Sequence, residues 1–521
     1  MNEESTKCGL QMRDGDEVSA SLTSISATVL GPFSRLNSGW KMTRRKLCIA
    51  LGLLVVWCDS VTWSQSAPGG SNLPWHPAEE RTYGQEAQQI SPRVLPAPSD
   101  SKYSLTDLIA FAESHNPETR AAWEAARSLA EALGVARSEL YPSLVALALS
   151  QTNRQEAYLG NHYYRQTFQS FDLGFDLKYT IFDFGGRAGR IGHAREQLLA
   201  ADFDFNDAHR RIIYQVEIAY YKLLNAIGQE DAARADLANA EAVKEAAEAS
   251  LKNGLATLPD VLEARSAVAR GAYDLQAAIG AEDVARGNLA VALGTSPVQP
   301  IPVQSIDQIS NPEQVELSID DVIDRAVNQR PDLLRQVAEI RAANARLKET
   351  KAAYFPSLRV RAHPDPQSLY GMQEELPWGH TAALDGEVSF SLNWTIFDGG
   401  ARKHALAEAG HEARTAEAKA SAARDEVENG VWTAYSNLKT AFRQREAAAS
   451  LLQAASQSYQ AALDSYHYGV RNLLDVTEAQ RTLAQARSAD VLARTQVLET
   501  LADLAFQTAD SVQPKSVRQQ P

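Results

Sequence analysis

Cysteine is almost missing from this sequence. Cys8, Cys48 and Cys58 are the only three in 521 residues, and all precede the predicted end of an export signal. The mature chain is therefore expected to hold no disulfide and no thiolate metal site. Long apolar runs are missing as well. The longest, Leu47 to Trp57, falls short of the roughly 18 to 20 residues a membrane-spanning helix needs. A basic excess is absent: 51 Lys and Arg face 65 Asp and Glu, the wrong balance for a nucleic-acid surface. Catalytic spacing is absent too, since His115, His193, His209, His404, His411 and His467 are scattered without a His-Glu-x-x-His pattern and no nucleophile elbow or phosphate loop appears. No enzyme activity, no cofactor and no metal is expected.

What is present begins with targeting. Lys41, Arg44, Arg45 and Lys46 stand before or at the start of the apolar run, and Ser64 and Ser66 precede Ala67, the pattern of a cleaved signal peptide over residues 42–66. Met42 is the expected start and residues 1–41 a doubtful extension. The bulky Trp57 beside Cys58 disfavours lipid attachment there. Residues 67–102 are Pro-rich and read as a surface segment.

The rest of the chain repeats itself at an offset of 214 to 215 residues, so repeats over 103–293 and 318–510 should share one fold. Asn116-Pro117 matches Arg330-Pro331, Tyr141-Pro-Ser-Leu144 matches Phe355-Pro-Ser-Leu358, and Thr180-Ile-Phe-Asp183 matches Thr395-Ile-Phe-Asp398. Gly254 with Asp260-Val261 matches Gly469 with Asp475-Val476. The Pro-rich stretch 294–317 links the repeats, and the tail 511–521 is expected to be disordered.

Within each repeat the apolar period changes. Residues 117–140 and 331–353 suit helix, and Pro142 and Pro356 end it by forcing extended geometry on the residue before them. Strands are then expected near 143–153, 167–183, 357–363 and 383–398. Phe171, Leu173, Phe175, Leu177, Tyr179 and Ile181 alternate with polar residues, and Val388, Phe390, Leu392, Trp394 and Ile396 repeat the pattern. Four strands cannot close a barrel, yet such alternation with aromatics near its ends is that of a transmembrane barrel. Tyr179, Phe182, Phe184, Trp394 and Phe397 suit one aromatic girdle; Tyr158, Tyr163, Tyr164 and Trp378 suit the other. Three copies pooling their strands would give twelve. From Arg187 to about Asn253 and from Arg402 to about Tyr468 no proline occurs, which predicts two coiled-coil helices of roughly 100 Å. Shorter helices over 257–293 and 472–508 should return antiparallel to them.

The order and duplication of these junctions resemble the TolC-like outer-membrane efflux proteins, the outer membrane factor family, across roughly residues 103 to 510. The resemblance implies a mainly α protein with a membrane β-barrel: a homotrimer with a 12-stranded barrel in outer-membrane lipid and an α-helical periplasmic barrel constricted at its inner end. It implies a passive exit duct that takes substrate from a periplasmic adaptor and an inner-membrane pump, for efflux or type I secretion. A coiled-coil envelope protein without channel activity is the alternative that helical periodicity alone would permit.

The hairpin tips carry the candidate site. Gly254 and Gly469 suit the left-handed position after a helix end; Thr257 and Asn472 can cap the next helix, with Asp260 and Asp475 three residues on. Capping is one reading of these aspartates. The other follows from Glu263 and Glu478, one turn later on the same face: threefold symmetry would gather Asp475 and Glu478 into carboxylate rings favouring cations, and the family resemblance implies acidic rings at these positions. Arg471, the one basic residue in either tip, is expected to link to Asp260, joined by Tyr466, as a latch between neighbouring hairpins. Leu255 and Val470 would either dock the adaptor or pack within their own hairpins.

Overall fold

In the computed structural model the described residues are 80–88, 95, 102–159, 161–304, 318–373 and 378–509. The export signal, the extension 1–41, the three cysteines and the tail 511–521 lie outside them, as do most of the Pro-rich segment and positions 305–317 of the linker. The chain divides into two units. The first, ending at Ser91, contributes one described helix, α1 (Glu80–Gln88).

The second unit, from Pro92, runs through one series of elements twice. The first series is α2 (Leu105–His115), α3 (Pro117–Ser138), β1 (Ser143–Leu159), β2 (His162–Phe182), α4 (Gly186–Lys252) and α5 (Leu258–Ala292). The second is α6 (Ile319–Gln329), α7 (Pro331–Ala352), β3 (Ser357–Gln373), β4 (Gly379–Asn393), α8 (Ala401–His467) and α9 (Leu473–Thr508). Helices α4 and α8 have 67 residues each, about 100 Å at 1.5 Å per residue. Among the described residues no helix is long and apolar enough to cross a membrane.

The junction motifs explain themselves locally. Asp183 accepts from the Arg187 backbone N–H at 2.6 Å. Asp398 accepts from Gly400 and Arg402 N–H groups, each at 3.1 Å. Each carboxylate thus satisfies open donors in the first turn of a long helix and sits where the helix dipole favours negative charge. Gly185 and Gly400, at φ 95° and 92°, supply the left-handed turn that directs the chain from sheet to helix.

The residue before the helix-starting proline has one job in both repeats. Asn116 accepts from Glu118 N–H at 2.7 Å and donates through Nδ2 to the Ala292 carbonyl at 3.2 Å, at the end of α5. Its counterpart Arg330 donates to the Gln507 side chain at 2.7 Å and its carbonyl at 3.4 Å, at the end of α9. Beside it Arg210, with a side chain 2% exposed, is paired with Asp207 at 2.6 Å and donates to the Phe506 carbonyl at 2.9 Å. Buried guanidinium groups are tolerated here because carboxylates and helix-end carbonyls take their donors.

One hydrophobic cluster is also built twice. Leu108, Ile212, Val216, Leu223 and Leu289 form the first cluster; Val322, Val427, Val431, Leu438 and Leu504, at the equivalent positions, form the other. A small residue lets α4 and α7 approach closely: a Cβ on Gly189 would come within 2.7 Å of the Glu349 backbone.

The four strands form one antiparallel sheet in the order β1-β2-β3-β4, with both outer edges unpaired among the described residues. They extend further from the helices than the alternation predicts, because the outer parts of the arms, such as Gln151 to Glu156, are polar on both faces and carry no period of two. β4 pairs only to Asn393, so Trp394, Ile396 and Phe397 follow the ladder as exposed residues. Across one face Tyr179 pairs with Val360, Val360 with Phe390 and Leu358 with Leu392. Val388, Phe390 and Leu392 are each 69% exposed, an apolar surface with no cover among the described residues. β1 departs from the alternation: Val145, Leu147 and Leu149 are exposed on the opposite face.

On α4, burial pushes the Glu217 carboxyl up to about 7. A carboxyl raised above its unfolded value of about 4.3 leaves the folded state binding more protons, so stability is full below that pH and is lost as pH rises through about 7. Thermal melting of the detergent-extracted protein should therefore weaken from about pH 5 to about pH 8, and Glu217→Gln should remove up to about 2 kcal/mol of that dependence.

Candidate functional site

Each hairpin tip closes on the same turn. At the end of α4, Leu255 N–H donates to the Ser250 carbonyl at 2.8 Å and Gly254 N–H to Leu251 at 3.0 Å. At the end of α8, Val470 donates to Ser465 and Gly469 to Tyr466, both at 2.9 Å. These paired bonds are the Schellman arrangement, which needs a left-handed residue after the cap; Gly254 and Gly469 provide it at φ 72° and 70°.

The next helices start differently, and the difference bears on function. In the first tip Asp260 accepts from the Thr257 backbone N–H and hydroxyl, both at 2.7 Å, which holds its carboxyl below the usual carboxylate range. In the second tip Asn472 does the capping, accepting from Asp475 N–H at 2.9 Å. Asp475 therefore contributes its backbone to the cap, and its exposed carboxylate has no hydrogen-bond or ion-pair partner among the described residues. Glu478 is exposed one turn on, and Glu263 is exposed in the first hairpin.

Leu255 is 83% exposed and Val470 77%. Neither packs within its hairpin, which removes that alternative for a single chain. Sequence reasoning missed their apolar neighbours Leu258, Tyr468 and Leu474, also exposed; only their closeness to the tip glycines signals them. The expected Arg471–Asp260 link is not made within one protomer, where Asp260 is engaged by Thr257. Tyr466 is partly buried and its hydroxyl has no partner among the described residues.

The two hairpins are held side by side beneath these tips. Val243, Val261, Tyr459, Leu473 and Val476 share one buried cluster drawn from α4, α5, α8 and α9. Higher up, Arg487 on α9 pairs with Asp236 on α4 at 2.6 Å, and Gln480 donates to the Asp236 carbonyl at 3.3 Å. Nothing in the spacing of these residues announces that tie; it needs the packed helices.

A family model described as outer membrane efflux protein matches residues 108–295 and again 322–509. Protein CyaE of Bordetella pertussis is 30% identical over 491 residues, which cover 91% of this chain and 99% of that protein. Outer membrane protein OprJ of Pseudomonas aeruginosa is 25% identical over 365 residues, 67% of this chain and 72% of OprJ. Among solved structures, the outer membrane protein VceC of Vibrio cholerae superposes with a TM-score of 0.64 at 18% identity, over 78% of this chain and 95% of its own. The CmeC outer membrane channel of Campylobacter jejuni gives 0.68 at 16% identity, over 80% and 90%.

A Cβ on Gly469 would meet nothing within 4 Å, so Gly469→Ala should cost only the left-handed backbone term of about 1 to 2 kcal/mol. Hydrogen exchange should speed up at the amides of Gly469 and Val470, while exchange in the buried core around Val431 stays unchanged.

Proposed function

The chain belongs to the outer membrane efflux protein family, and from that premise we propose that it is the outer-membrane exit duct of a tripartite efflux or type I secretion assembly. The observation that carries this reading is the apolar face of the four-stranded sheet. Among the described residues nothing covers it, and it flanks two unpaired strand edges. Hydrocarbon tolerates an apolar surface but no unpaired strand edge, so a lipid-facing sheet must close. Three copies close it as a 12-stranded barrel, and the long helices of the same three copies continue the duct into the periplasm.

In this reading the duct conducts passively and has no catalytic role. Leu255 and Val470, with Leu258, Tyr468 and Leu474, offer exposed apolar surface to a periplasmic adaptor, which joins the duct to an inner-membrane pump. Asp475 and Glu478, repeated by threefold symmetry, form carboxylate rings at the inner mouth that draw cations and repel anions. Asp475 suits that role because Asn472 relieves its carboxylate of capping. Arg471 serves as a latch toward a neighbouring protomer, beside the partly buried Tyr466. Such a surface contact is worth only about 0 to 1 kcal/mol, weak enough for an entrance that must open. A coiled-coil spacer would use the helices equally well but has no use for the apolar sheet face.

Native mass measurement on protein extracted from outer membranes should return a trimer; a folded monomer would sink the shared barrel. In lipid bilayers, Asp475→Asn combined with Glu478→Gln should lower the preference for cations over anions several-fold, or about 1 kcal/mol. An unchanged reversal potential would remove these residues from the entrance.

A further inference from the structure

The strand register sorts the charged residues of the sheet's polar face into rows. Nearest the helices, Thr180 pairs with Arg359 and Arg359 with Ser391. The next row out is Ser143, Lys178, Arg361 and Ser389. Beyond it Val145 pairs with Asp176, and His363 with Glu387. Gly174 follows on β2, where a Cβ would come 3.1 Å from an Asp365 carboxylate oxygen and 3.3 Å from the His363 ring. Farthest out of this set, Leu149 pairs with Asp172 and Asp172 with Gln367. Cations thus occupy the helix end, and carboxylates the rows beyond.

The two groups meet at Asp176. Its side chain is 4% exposed and binds Lys178 Nζ and Arg361 Nε, each at 2.6 Å. One carboxylate against Lys178, Arg359 and Arg361 leaves two positive charges per protomer. Arg359 is exposed and has no ion pair among the described residues. On the other side, Asp172 accepts from Ser170 Oγ at 3.1 Å through one oxygen, while its other is buried without a partner. Asp365 and Glu387 have no ion pair among the described residues. The charged groups just below, on the helices, offset one another: Arg190 pairs with Glu139 at 2.5 Å and Glu349 at 3.4 Å, Arg346 with Glu412 at 3.2 Å, and Arg187 with Asp183 at 3.6 Å.

Resting on the reading that three sheets close into a barrel with this face inward, we propose that the barrel wall carries a bipolar junction that rectifies ionic current. A cationic girdle of Lys178, Arg359 and Arg361 at the helix end abuts an acidic girdle of Asp172, Asp365 and Glu387 nearer the exterior. Adjacent rows lie about 7 Å apart, two residues along a strand, and the Debye length is about 10 Å at 0.1 M salt but about 3 Å at 1 M. At the lower salt each girdle fills its zone with counterions, anions inside and cations outside. When the external side is positive, anions cross the cationic girdle and cations the acidic one toward the junction, where both accumulate and conductance rises. The opposite polarity drains the junction. This selectivity lies in the barrel and is separate from the carboxylate rings at the hairpin tips.

The test is the current through purified trimers in planar bilayers at equal and opposite voltages, in potassium chloride. The expected result is a larger current with the external side positive at about 0.1 M salt, fading toward symmetry at about 1 M. Arg359→Ser halves the net charge of the cationic girdle and should cut the asymmetry by about half; Arg359→Glu should cut it further. Asp365→Asn, acting on the other girdle, should reduce it in the same direction. A symmetric wild-type response at low salt overturns the junction while leaving the duct intact, and so does asymmetry that survives all three substitutions. Trimers that conduct nothing at either polarity overturn the duct reading and the junction with it.

Discussion

A peptide N–H or carbonyl that faces hydrocarbon must find its partner within protein, and that requirement governs this molecule. The sheet presents apolar side chains on one face and, among the described residues, leaves the edges of β1 and β4 open. A soluble sheet could cover its apolar face with a helix and leave its edges to water. A lipid-facing sheet has to turn its edges toward other strands. Four strands are too few to curl back on themselves, so on the proposed exit-duct reading the sheet closes only with further copies of the chain. On that reading the helices follow: a closed ring of strands would lead into a ring of helices, each packing sideways on its neighbours.

Duplication makes that packing economical in distinct contacts. One arrangement of apolar residues around Val216 reappears around Val431, and one device for tying helix ends reappears at Asn116 and Arg330. The two halves also diverge in detail. Asn116 is a neutral amide whereas Arg330 joins Arg210, Asp207 and Asp332 in a buried network. The tips diverge likewise: an aspartate caps its helix in the first, an asparagine in the second. The sheet diverges too, since β1 puts Val145 and Leu147 on the face where β3 puts Arg361 and His363.

Much of the fold could be read from residues. The helices announced themselves by missing proline, their starts by Asp183 and Asp398, and their ends by Gly254 and Gly469. The period of two in β2 and β4 located the apolar face of the sheet, but the polar outer arms carried no such signal, and β1, β2 and β3 came out longer. At the tips, the sequence named Asp475 and Asp260 as equivalent. Only side-chain geometry separates them, because Thr257 and Asn472 are both good caps and which partner accepts is settled in three dimensions. Leu255 and Val470 were undecided for a similar reason: an apolar residue beside a turn can fold inward or outward. The Asp236–Arg487 tie and the charge rows on the sheet were hidden, since each joins residues from separate repeats.

The two long helices are equal in length, 67 residues each, and their hairpins are stitched together near the ends through Val243, Val261, Tyr459 and Val476. Adding a turn to one hairpin alone would slide that seam out of register and leave one tip standing proud of the other. The reach of the molecule can therefore change only by matched insertions in both halves of the gene, at equivalent points. Descendants spanning wider or narrower compartments should carry their length differences in duplicate.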